Sequence, residues 1–194
     1  MTVSHAKLIQ DCGTNTHPDR NEYYTPSAAL AYLDFLPDRL RVWEPCASEF
    51  DVLARRMRAK WPHWNVTATD ISRGQDFLTW DPDFEFDMII TNPPYKNKMA
   101  FVKRALSFGK PVILLIPTMV LESGPFKRAS QPHSLSIVLP YHKLHYIPKR
   151  LYLQDPDRDK WPLKDTESML HTSWFCWDVE VPDVEDCMVL RTGT

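Results

Sequence analysis

Glycine is scarce: the 194-residue chain has 5, against 17 prolines. Loops that grip phosphate use glycine so that backbone can approach the ligand closely, and this chain has little to use that way. Cys-x-x-Cys pairs are also missing. Cys12, Cys46, Cys176 and Cys187 are scattered, which suggests neither a zinc site nor a disulfide framework and fits a reducing compartment. No apolar run approaches the roughly 20 residues that cross a bilayer, the longest being Val112 to Ile116. Met1 to Gln10 has neither a basic start nor an apolar stretch, so no signal peptide is expected. A cytoplasmic, intracellular address without a membrane follows as the expectation. Neither sign of charge dominates. The net charge of −2 argues against a wholly basic, polyanion-seeking protein, although local patches can still meet phosphate.

What is present is the composition of a globular protein, 43% hydrophobic and 25% charged, at a length that suits one domain. Residues 1–20 read as a polar, irregular arm and residues 21–194 as a single domain. Thr25-Pro26-Ser27 before Ala28 to Leu33 reads as a helix start, with Thr25 as the cap. Arg39 to Pro45 reads as a strand. Asp51 to Lys60 reads as an amphipathic helix, with Val52, Leu53 and Met57 on one side and solvated Arg55, Arg56, Arg58 and Lys60 on the other. Val66 to Ile71 and Phe86 to Thr91 are β-branched strands, Met99 to Phe108 a helix, and Pro111 to Pro117 a strand apolar on both faces. Ser134 to Leu139, Lys143 to Ile147 and Thr172 to Val179 are further strand candidates. The alternation predicts an α/β fold: a Rossmann-like, doubly wound, mostly parallel sheet with antiparallel strands near the C-terminus. In such sheets ligands bind at the carboxyl ends of the strands.

The chemically suggestive residues fall at those ends. The first strand closes on Glu44-Pro45-Cys46-Ala47-Ser48 and the second on Asp70-Ile71. Asp76-Phe77 follows, and the next strand runs into Asn92-Pro93-Pro94-Tyr95. An acid ending the second strand suits the hydroxyls of a ribose, and an Asp beside a Phe suits an adenine. Two consecutive prolines fix φ and remove two donors, leaving rigid outward carbonyls. The Asn92 side-chain oxygen and the Pro93 carbonyl can then accept from one amino group. An aryl amine is a poor nucleophile because its lone pair is delocalised. Two acceptors outside the ring plane draw its nitrogen towards tetrahedral geometry and free that pair, by positioning and electrostatics alone. Tyr95 offers a face on which a base can stack, worth ~1–3 kcal/mol.

Asn21 to Pro26, Val42 to Ala47, Thr69-Asp70-Ile71, Asp76-Phe77-Leu78 and Phe86 to Tyr95 together resemble the adenine-N6 DNA methyltransferases of the gamma order, which carry an Asn-Pro-Pro-Tyr motif and occur in restriction-modification systems and phages. The resemblance covers about Asn21 to Leu121. It implies a catalytic loop of Asn92, Pro93, Pro94 and Tyr95 and the cofactor S-adenosylmethionine. It further implies that Thr25 and Pro26 close over the methionine end, which Glu44, Cys46, Ala47 and Asn92 line. Asp70 would hold the ribose, Ile71 would lie against the adenine, and Asp76 with Phe77 would read its amine. The substrate it implies is the N6 amine of a flipped-out adenine in DNA. Asn-Pro-Pro-Tyr also occurs in RNA adenine methyltransferases and in enzymes that methylate a protein glutamine amide, so those substrates stay open.

Two departures stand out. The family places glycine after the Pro-x-Ala stretch, whereas Ser48-Glu49-Phe50 follows here. That gap is the argument for a different class of function, a non-catalytic subunit that binds nucleic acid or a partner. No separate target-recognition domain is visible either, which leaves a homodimer or a helper subunit as routes to target choice. Among Tyr141 to Arg150, aromatics interleave with bases as in strand-binding surfaces, making His145, Tyr146 and Lys149 candidate substrate contacts beside Tyr95. His142 and His145 lack a third ligand at sensible spacing, so no metal is expected. Trp174 to Trp177 reads as a core strand, Trp61 and Trp64 as packing near the second strand, and Leu153 to Leu170 as a surface loop or lid.

Overall fold

The computed structural model of the chain describes residues 23–156 and 171–192. The predicted arm at 1–20 and most of the predicted loop at Leu153 to Leu170 lie outside the described residues. In chain order the strands are β1 (Tyr23–Tyr24), β2 (Arg41–Glu44), β3 (Asn65–Ala68), β4 (Met88–Thr91), β5 (Val112–Pro117), β6 (Leu135–Pro140), β7 (Ile147–Pro148), β8 (Thr172–Trp177) and β9 (Cys187–Thr192). The α-helices are α1 (Val52–Lys60), α2 (Lys98–Ser107), α3 (Gly124–Ser130) and the single turn α4 (Lys149–Tyr152).

Seven strands form one sheet in the order β3-β2-β4-β5-β8-β6-β9. β3, β2, β4 and β5 are parallel. The later strands join antiparallel, as expected for the C-terminal part. Alternation across the pleat sends successive residues to opposite faces, and a separate core covers each. Val42, Met88, Ile90, Ile113, Leu115 and Trp174 pack under α1 and the preceding 3-10 turn. Trp43, Ile89, Val112, Leu114, Phe175 and Trp177 pack under α2 and α3. Both faces are buried, which explains the uninterrupted apolar run of β5.

Trp43 anchors the second core. Its ring is fully buried and meets Phe77, Phe84, Phe86 and Phe108 at centroid separations of 5.1–5.8 Å. Its indole N–H donates to Thr69 Oγ1 at 2.8 Å, which ties the ends of β2 and β3 together.

Several expectations shift. Ser27–Leu33 is a 3-10 helix capped by extended Pro26 rather than Thr25. The cations of α1 are not merely solvated. Arg55 donates to Tyr152 Oη, Arg56 to the Thr25 carbonyl and Arg58 to the Val66 carbonyl, while Lys60 pairs with Asp34. Of the predicted strand Lys143 to Ile147 only Ile147 lies in a ladder, together with Pro148, because β1 offers just two residues to pair with. β9 and α3 went unanticipated. β9 is an edge strand with Met188 and Leu190 exposed, so it lacks the clean alternation of a half-buried strand. No helix among the described residues is long and apolar enough to cross a membrane.

Replacing Trp43 with Ala should lower the unfolding free energy by about 3–5 kcal/mol. Urea denaturation would show this as a lower midpoint at unchanged slope; a loss below about 1 kcal/mol would contradict the anchoring role.

Candidate active site

Because β2 and β4 are parallel neighbours, their carboxyl ends lie side by side. Glu44 ends one and Thr91 the other. Thr91 Oγ1 donates to Glu44 Oε1, and the backbone N–H of Cys46 donates to the same oxygen at 3.1 Å. The second oxygen, Oε2, is buried and has no hydrogen-bond partner among the described residues. The side chain is fully buried. Burial without a counter-cation pushes its pKa up to about 8, against the pull of the Thr91 and Cys46 hydrogen bonds. The carboxyl is therefore mostly neutral at pH 7 and would ionise if a cation with N–H donors reached Oε2. Burial likewise pushes the Cys46 thiol up, with Glu44 adding to it, so Cys46 is a wall rather than a nucleophile.

One residue beyond Thr91, the Asn92 side chain donates from Nδ2 to Thr25 Oγ1 at 3.0 Å. That bond turns Oδ1 the other way, and Oδ1 is the second buried acceptor here without a partner among the described residues. Thr25, Pro26 and Pro93 are buried, and Pro94 is exposed with extended backbone. β1 brings Thr25 to the site, and the Arg56 bond to its carbonyl fixes it from α1.

The turn after β2 closes on itself. Ala47 N–H donates to the Thr69 carbonyl at 3.1 Å and Ser48 N–H to Asp70 Oδ2 at 3.0 Å. With the Cys46 N–H on Glu44, three successive donors are already satisfied, so this turn presents acceptors rather than an anion-binding nest. Two of its residues have left-handed backbone without being glycine: Ser48 at φ 62° and Asp51 at φ 51°. That conformation costs an L-residue roughly 1–2 kcal/mol. Asp70 is half-buried and also takes the Ser72 N–H on Oδ1 at 2.9 Å. Each carboxylate oxygen keeps a lone pair for a further donor. Ile71, next along, is 68% exposed, a large apolar side chain with nothing on it. Asp76 accepts from Leu78 N–H at 3.0 Å and starts the turn that follows. Phe77 turns inward: it is 3% exposed, between Trp43 and Phe101. Core packing thus fixes the ring that the resemblance sets beside the cofactor's adenine.

Tyr95 continues the Asn-Pro-Pro segment. Its hydroxyl donates to Tyr146 Oη at 3.3 Å, and Tyr146 Oη donates to Thr172 Oγ1 at 2.8 Å. Burial raises the pKa of both phenols, Tyr146 to about 12, so both stay protonated donors. Tyr146 is itself buried. It therefore orients Tyr95 from behind rather than standing open to a substrate. His145 is exposed, and Lys149 pairs with Glu49 at 2.7 Å, which binds the predicted contact segment to the turn after β2. The sequence also carries a charge pattern that composition alone conceals. Residues 92–150 hold ten Lys and Arg against one acid, Glu122, while the remaining residues hold thirteen against twenty-four. Lys96, Lys103, Lys127 and Arg128 are exposed, and Lys103 and Arg128 line one groove between α2 and α3. Thr91 and Thr172 went unnoticed in the sequence because a threonine in a strand reads as β-propensity.

No family model matches the chain, and no curated protein matches it significantly. Similar solved structures exist. A protein assigned as a class I S-adenosylmethionine-dependent methyltransferase from Listeria monocytogenes superposes at a TM-score of 0.55 and 14% identity, over 92% of this chain and 69% of its own. The 23S rRNA methyltransferase ErmE gives 0.42 at 17% identity over 80% and 68%. An assigned methyltransferase from Thermoplasma acidophilum gives 0.40 at 11% over 71% and 66%. The first, with the strand order above, shows that the chain has a Rossmann-like α/β fold.

Proposed function

We propose that the chain transfers a methyl group from S-adenosylmethionine to the exocyclic N6 amine of adenine in nucleic acid, with DNA as the substrate. The observation that carries this reading is a pair of buried oxygens without a hydrogen-bond partner among the described residues, Oε2 of the Glu44 carboxyl and the Asn92 acceptor Oδ1, at the carboxyl ends of adjacent parallel strands. An unpaired buried polar atom is costly unless something arrives to meet it.

The acceptor character of the site fits this cofactor, which is cationic and carries no phosphate. Glu44 offers a carboxylate to an ammonium, and Cys46 and Ala47 wall that end. Asp70 keeps lone pairs for ribose hydroxyls, Ile71 offers an apolar face to adenine, and Asp76 offers a carboxylate to its amine. When bound, the cofactor supplies an electrophilic methyl group on a sulfonium. Asn92 Oδ1, aimed by the Thr25 bond, accepts from the target amine together with the Pro93 carbonyl and holds its lone pair towards that methyl. Tyr95, steadied through Tyr146, gives the base a surface to stack on. Transfer leaves the amine with one proton too many, and the uncharged acceptors around it pass that proton to solvent rather than keep it.

The basic stretch from 92 to 150 begins with the Asn-Pro-Pro-Tyr loop and continues beyond it in sequence, which supports a polyanionic substrate over a protein amide. A duplex or single strand pairs its phosphates with such a surface, and the affinity then falls with salt.

Two experiments test the reading. After incubation with methyl-labelled cofactor and either DNA or RNA, digestion to nucleosides should place label in N6-methyldeoxyadenosine. Asn92→Ala should reduce that by about 10²-fold or more while retaining cofactor binding. Full activity in Asn92→Ala would refute the catalytic assignment, and label confined to ribonucleosides would refute DNA as the substrate.

The second concerns Glu44, whose folded pKa of about 8 lies above its ordinary value of 4.5. Between those values the folded state holds a proton that the unfolded state has lost, so stability falls as pH rises, by at most about 1.4 kcal/mol per unit. Glu44→Gln removes that dependence. Its stability relative to the parent should climb from pH 4.5 to 8 and level off above; a pH-independent difference in thermal unfolding would contradict the neutral, buried carboxyl.

A further inference from the structure

The turn after β2 poses a problem of conformation. Ser48 and Asp51 both hold left-handed backbone, a region that glycine enters freely and other residues leave unless their surroundings over-determine it. Neither is glycine. The Asp70 bond to the Ser48 N–H and the Phe50 N–H on Ser48 Oγ hold one of them in part, and three side-chain contacts from outside the turn converge on it.

Arg73 makes the most direct one. It closes the single 3-10 turn Ile71–Arg73 that follows Asp70. Its Nη2 donates to the Ser48 carbonyl at 3.0 Å and pairs with the Asp51 carboxylate, and its Nη1 reaches the Ala68 carbonyl at 3.4 Å. The guanidinium fork thus grips both left-handed residues and braces them on the end of β3. Asp51 confirms the arrangement by what it does not do. It stands at the N-cap of α1, where Asp ordinarily accepts from a helix N–H, yet it makes no side-chain cap bond. Its carboxylate is turned to Arg73. From the far side, Glu49 pairs with Lys149 at 2.7 Å, and Phe50 packs on Tyr24 and Tyr152 with centroids 6.1 and 5.6 Å away. Those two contacts locate the turn but do not touch Ser48 or Asp51.

We propose that Arg73 is a positioning residue for cofactor binding: it holds Ser48 and Asp51 in left-handed backbone that glycine would enter without strain, and so fixes the glycine-free turn that lies between Glu44 and Asp70. The proposal rests on the cofactor reading above. The pair alone would not suffice, since Arg73 and Asp51 are 36% and 27% exposed and exposed ion pairs contribute little. The specificity lies in the planar fork reaching two carbonyls and a carboxylate at once, which a lysine point charge cannot copy.

The prediction has a rescue arm that an ordinary structural role would not produce. Arg73→Met should weaken S-adenosylmethionine binding by about tenfold, the cost of losing one left-handed residue's constraint, and should speed amide exchange at Ser48 to Asp51 in the ligand-free protein without changing β4 or β5. Adding Ser48→Gly and Asp51→Gly to Arg73→Met should restore most of the affinity, because glycine enters that backbone region without the strain an L-residue carries. Arg73→Lys should fall between, and it carries the same comparison if Arg73→Met does not fold. Unchanged affinity and exchange in Arg73→Met, or a loss that the glycines do not restore, would overturn the proposal. Absence of binding by the unaltered chain at millimolar cofactor would instead sink the cofactor reading, and the exchange data would still judge Arg73.

Discussion

A carboxylic acid buried without a cation is an expensive thing for a fold to keep, and Glu44 is one. It sits at the end of β2, wholly out of water, with one oxygen held by Thr91 and the Cys46 N–H and the other unmet. The fold tolerates it by letting the group stay protonated at neutral pH. The Thr91 bond also has a geometric effect. It pins the last residue of β4 to the last residue of β2, and Asn92, the next residue along, is therefore delivered beside Thr25 with its oxygen free. Much of the site depends on this one contact between two strand ends.

The surrounding structure keeps those ends rigid. Residue 43 and residue 44 point to opposite faces of the sheet, so the same dipeptide that places Glu44 also drives Trp43 into the aromatic core beneath α2. Thr69 takes the Trp43 indole N–H on its side chain and the Ala47 N–H on its backbone. Asp70, directly after it, takes Ser48. A displaced β3 would therefore disturb Asp70, the turn and the aromatic core together. Rigid strands carrying acceptors at their ends are what positioning catalysis requires.

Much of this was legible in the sequence, for a physical reason. Strand ends are marked by apolar runs that stop at polar residues, so Glu44, Asp70 and Asn92 could be placed at one edge of a parallel sheet without coordinates. The sheet's α/β order followed from the same alternation. What was not legible depends on long-range partners. Tyr146 looks like a surface aromatic among bases, but Leu144, Tyr146 and Ile147 turn inward and leave Tyr141 and His145 outside. The packing of Phe77 between Trp43 and Phe101 likewise depends on residues far away in sequence. The missing glycine reads as a defect in sequence, whereas the structure supplies left-handed backbone at Ser48 and Asp51 all the same. The charge segregation was visible in the letters and needed only to be counted by segment rather than over the chain.

The central claim is that Glu44 and the strand ends beside it receive the cationic methionine end of S-adenosylmethionine. Its most direct test is a calorimetric titration of the intact chain with that cofactor at pH 7, repeated in buffers of different ionisation enthalpy. A Glu44 carboxyl that is mostly protonated when empty, with a pKa of about 8, must ionise as the ammonium arrives. The account predicts one-to-one binding with release of close to one proton. No heat at millimolar cofactor, or binding whose heat is the same in every buffer, would contradict it.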